Sequence, residues 1–168
     1  MIRKNRDSKI TTLIEQNPGI QFREIMRSSG LKNGVLSHYL NKLEKNGIIK
    51  AERGPRQTRF YLPTITEDES KAIKALRRQT PRDLLLALIK QDGLEFNHLV
   101  NEVGKSPSTV SLYLSQIVED GLVEIRIENL KKRYHIRQRE LIDRLIEDYR
   151  PGLLEKQASG FEDIFNSL

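Results

Sequence analysis

The chain has 168 residues, no cysteine and a net charge of +6, from 29 Lys and Arg against 23 Asp and Glu. That length allows one ordinary domain or two small ones, at roughly 100–200 residues each, and the missing cysteine excludes disulfides, thiolate metal sites and thiol nucleophiles. The longest apolar run, residues 84–89, is far short of the roughly 20 that span a bilayer, and the basic amino terminus leads into no signal-peptide core, so the expectation is a soluble cytoplasmic protein, without a membrane role, whose excess charge suits a polyanion.

Ser8 can cap a first helix carrying Ile10, Leu13 and Ile14, which stops at Asn17-Pro18-Gly19. Phe22, Ile25 and Met26 make the apolar face of a short second helix closed by Gly30. A third begins after Asn33 as its cap, buries Leu36, Leu40 and Leu43, and ends at Asn46-Gly47. Ile48-Ile49 opens a strand, Gly54-Pro55 turns it, and residues 59–62 return with period-two alternation. Thr66-x-x-Glu69 is a capping box before a helix with Ala72, Ile73 and Leu76. Thr80-Pro81 starts the next helix with a capping hydroxyl and proline in the first helical position, and Ser106-Pro107 does the same further on. Asp120-Gly121 ends that helix, and residues 122–127 and 132–136 form a hairpin around Glu128-Asn129. In the tail, Leu141, Ile142, Leu145, Ile146 and Tyr149 make one helical stripe, Pro151-Gly152 interrupts it, and Phe161, Ile164, Phe165 and Leu168 make another.

Shifting the sequence by 74 residues lays 22–62 over 96–136 without a gap. Phe22/Phe96, Gly30/Gly104, Ser37/Ser111, Tyr39/Tyr113, Leu40/Leu114, Gly47/Gly121 and Arg59/Arg133 are identical, with apolar matches between them. The chain is therefore an internal repeat of three short helices and a β-hairpin.

Those parts are a winged helix-turn-helix. Segments 36–49 and 110–123 resemble the recognition-helix-to-wing signature of MarR- and ArsR-like transcriptional regulators, and the tandem arrangement is similar to regulators found in archaea. The expected fold is mainly α with small β-hairpin wings (α+β): two tandem winged helix-turn-helix domains plus C-terminal helices. The domains are expected at 1–63 and 80–137, with a helical connector at 64–79 and a helical tail at 138–168.

A third helix of this kind fits the major groove, where exposed side chains reach base edges. With the apolar face fixed, Asn33, Val35, Ser37, His38 and Asn41 are candidate base readers, while Lys32, Lys42 and Lys45 are candidate phosphate contacts. Gln21 and Arg23 can hold the backbone, and Arg53, Arg56 and Arg59 make the first hairpin a basic wing. Arg59 and Arg133 recur at one place in both hairpins, which suits a structural hydrogen bond as readily as a DNA contact. Tyr39 and Tyr113 recur beside buried leucines, where packing is favoured over base stacking. Residues 1–63 hold 13 Lys and Arg against 5 Asp and Glu, residues 64–137 hold 12 against 11, and the rest 4 against 7. The polyelectrolyte attraction is thus concentrated in the first copy. The second copy is an auxiliary reader through Ser108, Thr109, Ser111, Lys131 and Lys132.

Enzymatic chemistry has poor material: His38, His98 and His135 stand in no metal-ligand spacing, and no P-loop or G-x-G-x-x-G occurs. Neither a cofactor nor a metal is expected, and an effector is left unassigned. The tail stripes, through Leu141, Leu145, Tyr149, Phe161 and Phe165, suggest a homodimer, which matches palindromic half-sites. The function expected is a non-enzymatic, sequence-specific regulator that binds double-stranded DNA. The rivals are a winged-helix adaptor that docks proteins and a nucleoid-type coating protein.

Overall fold

A computed structural model describes residues 2–154. The chain divides into two compact units, Met1–Ser70 and Lys71–Leu168. No helix among the described residues is long and apolar enough to cross a membrane.

In the first unit α1 spans Ile2–Gln16, β1 Ile20–Gln21, α2 Phe22–Ser29, α3 Asn33–Lys45, β2 Lys50–Arg53 and β3 Thr58–Tyr61. The strands form an antiparallel sheet in the order β1-β3-β2, with Ile20 opposite Phe60 and Ala51 opposite Phe60 on the other side. Ile10, Ile14, Ile25, Leu36, Leu40, Leu43, Ile49 and Phe60 make one core, and Tyr39 joins it. Packing, not base stacking, is therefore what occupies Tyr39.

Local signals place several boundaries differently from the sequence reading. Helix α1 begins well before Ser8, which lies exposed inside it. A cap contributes only about 1 kcal/mol, and residues 2–7 contain no helix breaker, so the helix extends past it. Asn33 is the first helical residue, and Lys32 holds the extended cap conformation (φ −72°, ψ 152°). The strand expected from Ile48 starts at Lys50, because Gly47 takes φ +68° and Ile48 N donates to Leu43 O at 2.9 Å, closing α3 first.

Helix α4, Glu67–Leu76, begins at the capping box, with Thr66 N donating to Glu69 Oε2 at 2.8 Å and Glu69 N to Thr66 Oγ1 at 3.2 Å. In the second unit α5 spans Gln79–Lys90, α6 Phe96–Val103, α7 Pro107–Glu119, β4 Val123–Glu128, β5 Lys131–Ile136 and α8 Arg139–Leu154. Thr80 does not cap α5: the cap residue is Arg78, and Thr80 and Pro81 sit buried in the first turn. That turn's N–H groups have no helical partner, so proline is tolerated there. Ser106 does cap α7, accepting from Thr109 N at 3.3 Å with Pro107 next. β4 and β5 form a two-stranded sheet joined by Asn129 and Leu130, both left-handed (φ +50° and +65°). Such values suit the mirror-image hairpin turn that matches strand twist.

Helix α8 continues through Pro151-Gly152 to Leu154 rather than breaking there. A proline removes one hydrogen bond, and the helix bears that loss near its end. Ile142 and Leu145 are buried in the unit's own core, while Leu141 and Tyr149 are half-buried. Leu145 thus has no surface to offer a second chain. Phe161, Ile164, Phe165 and Leu168 lie outside the described residues.

The 74-residue repeat reaches into hydrogen bonding. Gly19 N donates to Phe60 O at 2.9 Å and Arg59 Nη1 donates back to Gly19 O at 2.9 Å; Gly93 N donates to Tyr134 O at 3.1 Å and Arg133 Nη1 to Gly93 O at 2.8 Å. Each copy uses one arginine to clamp its hairpin to the turn before α2 or α6. Beside the second clamp, Asp92 Oδ1 accepts from Ile136 N and Asp92 Oδ2 meets His135 Nδ1, both at 2.8 Å. Burial pushes the Asp92 carboxyl up, but these hydrogen bonds outweigh it and leave the group below its usual range.

Candidate nucleic-acid interface

Buried Leu36, Tyr39, Leu40 and Leu43 fix one side of α3. At 3.6 residues per turn, Gly34, His38, Asn41 and Lys45 lie along the opposite side, and all four are exposed. Val35 (37 % exposed) and Lys42 flank that line toward α1; Ser37 and Glu44 flank it toward the hairpin. Lys32 and Asn33 are exposed at the start of α3, where Asn33 Oδ1 accepts from Ser37 Oγ at 3.3 Å.

Between α3, the start of α2 and the β2–β3 hairpin lies an open cleft of about 580 Å³. Its walls bring together Gln21, Arg23, Ser37, Asn41, Arg53 and Arg56, over an apolar base containing Phe22, Leu40 and Phe60. Residues from four elements, all singled out by residue type and periodicity, therefore converge on one concavity. Arg23 and Arg56 are exposed, as are Lys32 and Lys45, and these four form no ion pair among the described residues.

Two further cations are held by acids of the same unit. Arg53 Nη1 and Nη2 donate to Glu44 Oε1 and Oε2 at 2.8 and 2.7 Å, a two-pronged pair across the cleft. The hydrogen bonds from Arg53 hold the Glu44 carboxyl below the usual carboxylate range. Lys42 Nζ lies 2.7 Å from Asp7 Oδ2, which turns it toward α1. Gln21 Nε2 donates to Gln57 Oε1 at 2.7 Å, linking the start of α2 to the hairpin. Glu44, Gln57 and Asp7 were not anticipated. Glu44 was the traceable one, since it lies three residues after Asn41 and so shares its face.

Arg59, expected on the basic wing, does not reach its surface. It is 5 % exposed and donates to Gly19 O, so it is a structural clamp with no face toward a duplex. A guanidinium this far inside is retained because it satisfies a buried carbonyl.

In the second unit Ser108 and Ser111 are exposed on α7 and Thr109 is half-buried. Lys131 and Lys132 are exposed on the hairpin, with Lys131 Nζ 3.2 Å from Glu95 Oε1. The same helix and hairpin also expose large apolar side chains: Leu112 is 57 % exposed, Ile125 44 %, Ile127 64 % and Leu130 99 %. By the 74-residue offset, Leu112 stands where His38 does, Ile127 where Arg53 does and Leu130 where Arg56 does. Tyr113 is engaged inside its unit, with its hydroxyl accepting from Arg78 Nη2 at 2.9 Å.

Comparison with known families finds two helix-turn-helix domains in tandem. Residues 4–73 match an N-terminal HTH (helix-turn-helix) domain family, and residues 78–124 match the bacterial regulatory protein, arsR family. No characterised protein and no solved structure matches the chain.

Proposed function

From a chain that carries two helix-turn-helix domains in tandem, the second of arsR type, we propose a sequence-specific, double-stranded DNA-binding transcriptional regulator, cytoplasmic and non-enzymatic. The first unit reads the duplex. α3 enters the major groove with His38, Asn41 and Val35 toward base edges, and the hairpin carrying Arg53 and Arg56 follows the phosphates or the adjoining minor groove. Lys32, Lys42, Lys45 and Arg23 supply further backbone contacts, and Gln21 and Ser37 border them. Ser108, Thr109, Ser111, Lys131 and Lys132 give the second unit an auxiliary role. Two copies acting together would match a palindromic site, each contributing one such face.

The observation that carries this reading is the cleft, where exposed cations and amide side chains from α2, α3 and the hairpin converge. The test is a salt titration on random duplex and on duplex selected from a random pool. A regulator loses affinity by orders of magnitude between about 50 and 200 mM salt and prefers its selected site by roughly a thousandfold or more. Equal binding to both pools would make it a coating protein, and no binding would make it an adaptor.

A further inference from the structure

We infer that the outer edge of β4 is a pairing surface for a second copy of this chain, joined antiparallel about a two-fold axis at Ile125. This rests on the two-copy part of the proposed function and locates its contact; it does not depend on DNA.

The second sheet has one closed edge and one open edge. On the β5 side Tyr134 N donates to Leu94 O at 2.9 Å and Tyr134 O accepts from Gly93 N, so the turn before α6 covers it. β4 has no strand on its outer side among the described residues. Arg137 N donates to Leu122 O, which makes 122 and 137 a hydrogen-bonded pair. By alternation, residues 124, 126 and 128 turn their N–H and C=O groups toward β5, and Val123, Ile125 and Ile127 turn theirs outward. An unprotected row of this kind templates the addition of another strand.

The side chains specify which strand. β4 reads Val123-Glu124-Ile125-Arg126-Ile127-Glu128, apolar residues alternating with charges of alternating sign. Antiparallel pairing with itself about Ile125 puts the two Ile125 residues opposite each other and Val123 opposite Ile127. These are the positions whose backbone groups face outward, so hydrogen bonds form between the copies. Within one chain Arg126 already pairs with Glu124, and the same register lays the two such pairs side by side in reversed order, so that Glu124 also stands opposite Arg126 of the other copy, twice. A register centred on Arg126 would instead set Arg126 against Arg126 and Glu124 against Glu128, and like charges directly opposite are destabilising. Charge complementarity therefore selects a second copy in one register. Exposed Ile125 and Ile127 gain cover, which a solvated hairpin denies them.

The experiment measures the mass of the full chain in solution, without DNA, by light scattering or sedimentation equilibrium. Wild type is expected to be dimeric, and Ile125→Lys to be monomeric at the same concentration, with unchanged helical circular dichroism and a melting temperature that no longer rises with protein concentration. Glu124→Arg and Arg126→Glu each convert both cross-strand pairs from attraction to repulsion and weaken dimerisation about tenfold. The double swap, Glu124→Arg with Arg126→Glu, restores opposite charges and with them the dimer. A monomeric wild type overturns both the pairing and the two-copy reading. A dimer indifferent to all three single changes, or a double swap that fails to restore it, overturns the β4 contact alone and leaves the two-copy reading to another surface.

Discussion

The two units are copies of one design put to different surfaces. Both keep the glycine turn, the arginine clamp and the buried apolar face of the third helix, Leu36, Leu40 and Leu43 in one and Val110, Leu114 and Ile117 in the other. Their outward faces have diverged: His38, Arg53 and Arg56 in the first correspond to Leu112, Ile127 and Leu130 in the second. A scaffold held by backbone hydrogen bonds and an inner apolar face tolerates wholesale change on its exterior, because surface substitutions away from such features usually shift stability within about 0.5 kcal/mol. The fold is thus common to both units, while the cleft lined by exposed cations is described in the first.

The clamps test the shared half of that comparison and carry the largest expected effect. Arg59→Ala leaves a buried carbonyl without its donor and should cost about 2–3 kcal/mol of stability in urea unfolding. Arg133→Ala, whose side chain keeps 34 % exposure, should cost about 1 kcal/mol because water can replace the lost donor. Equal losses would show that the two clamps do not differ in burial as described.

Base reading tests the divergent half. Asn41→Ala or His38→Ala should remove preference at one base position, for about 1–3 kcal/mol. The corresponding changes in the second unit, Ser115→Ala and Leu112→Ala, should leave the selected sequence unaltered in a repeat of the duplex selection. Arg56→Ala should weaken every duplex about tenfold and lower the salt slope by about one, and Leu130→Ala should do neither. Should Leu130→Ala weaken binding as much as Arg56→Ala, the division of labour between the units fails.

The smallest effect is at Glu44. Its carboxylate holds Arg53 through both oxygens, so on the proposed function a phosphate would have to displace it. Glu44→Gln should raise affinity for random duplex a few-fold, measured by fluorescence anisotropy. Because Arg53 lowers the Glu44 pKa, the pair's contribution is complete above the ordinary carboxylate range and is lost only as pH falls through the lower folded value. The gain from Glu44→Gln is therefore constant through neutral pH.

Apolar periodicity and the repeat carried most of the fold, since buried leucines at helical spacing and a 74-residue register are properties of the sequence itself. Caps were less legible. Ser106 caps because the left-handed Gly104 ends the preceding helix two residues earlier, whereas Ser8 and Thr80, the latter also followed by a proline, have helix-permissive residues before them and lie inside their helices. The cleft residues were legible by type, but their partners were not. Asp7 lies 35 residues from Lys42, and Gln57 lies 36 from Gln21, distances that only the folded chain closes. Arg59 could not be assigned from its type, because a buried clamp and a phosphate contact call for the same guanidinium.

Amide hydrogen exchange of the full chain with and without a selected duplex tests the central claim most directly. Protection should appear over residues 33–45 of α3 and over the hairpin around Arg53 and Arg56, with little change over residues 107–119 of α7. Protection confined to α7 and the second hairpin, with the first unit unchanged, would contradict the account.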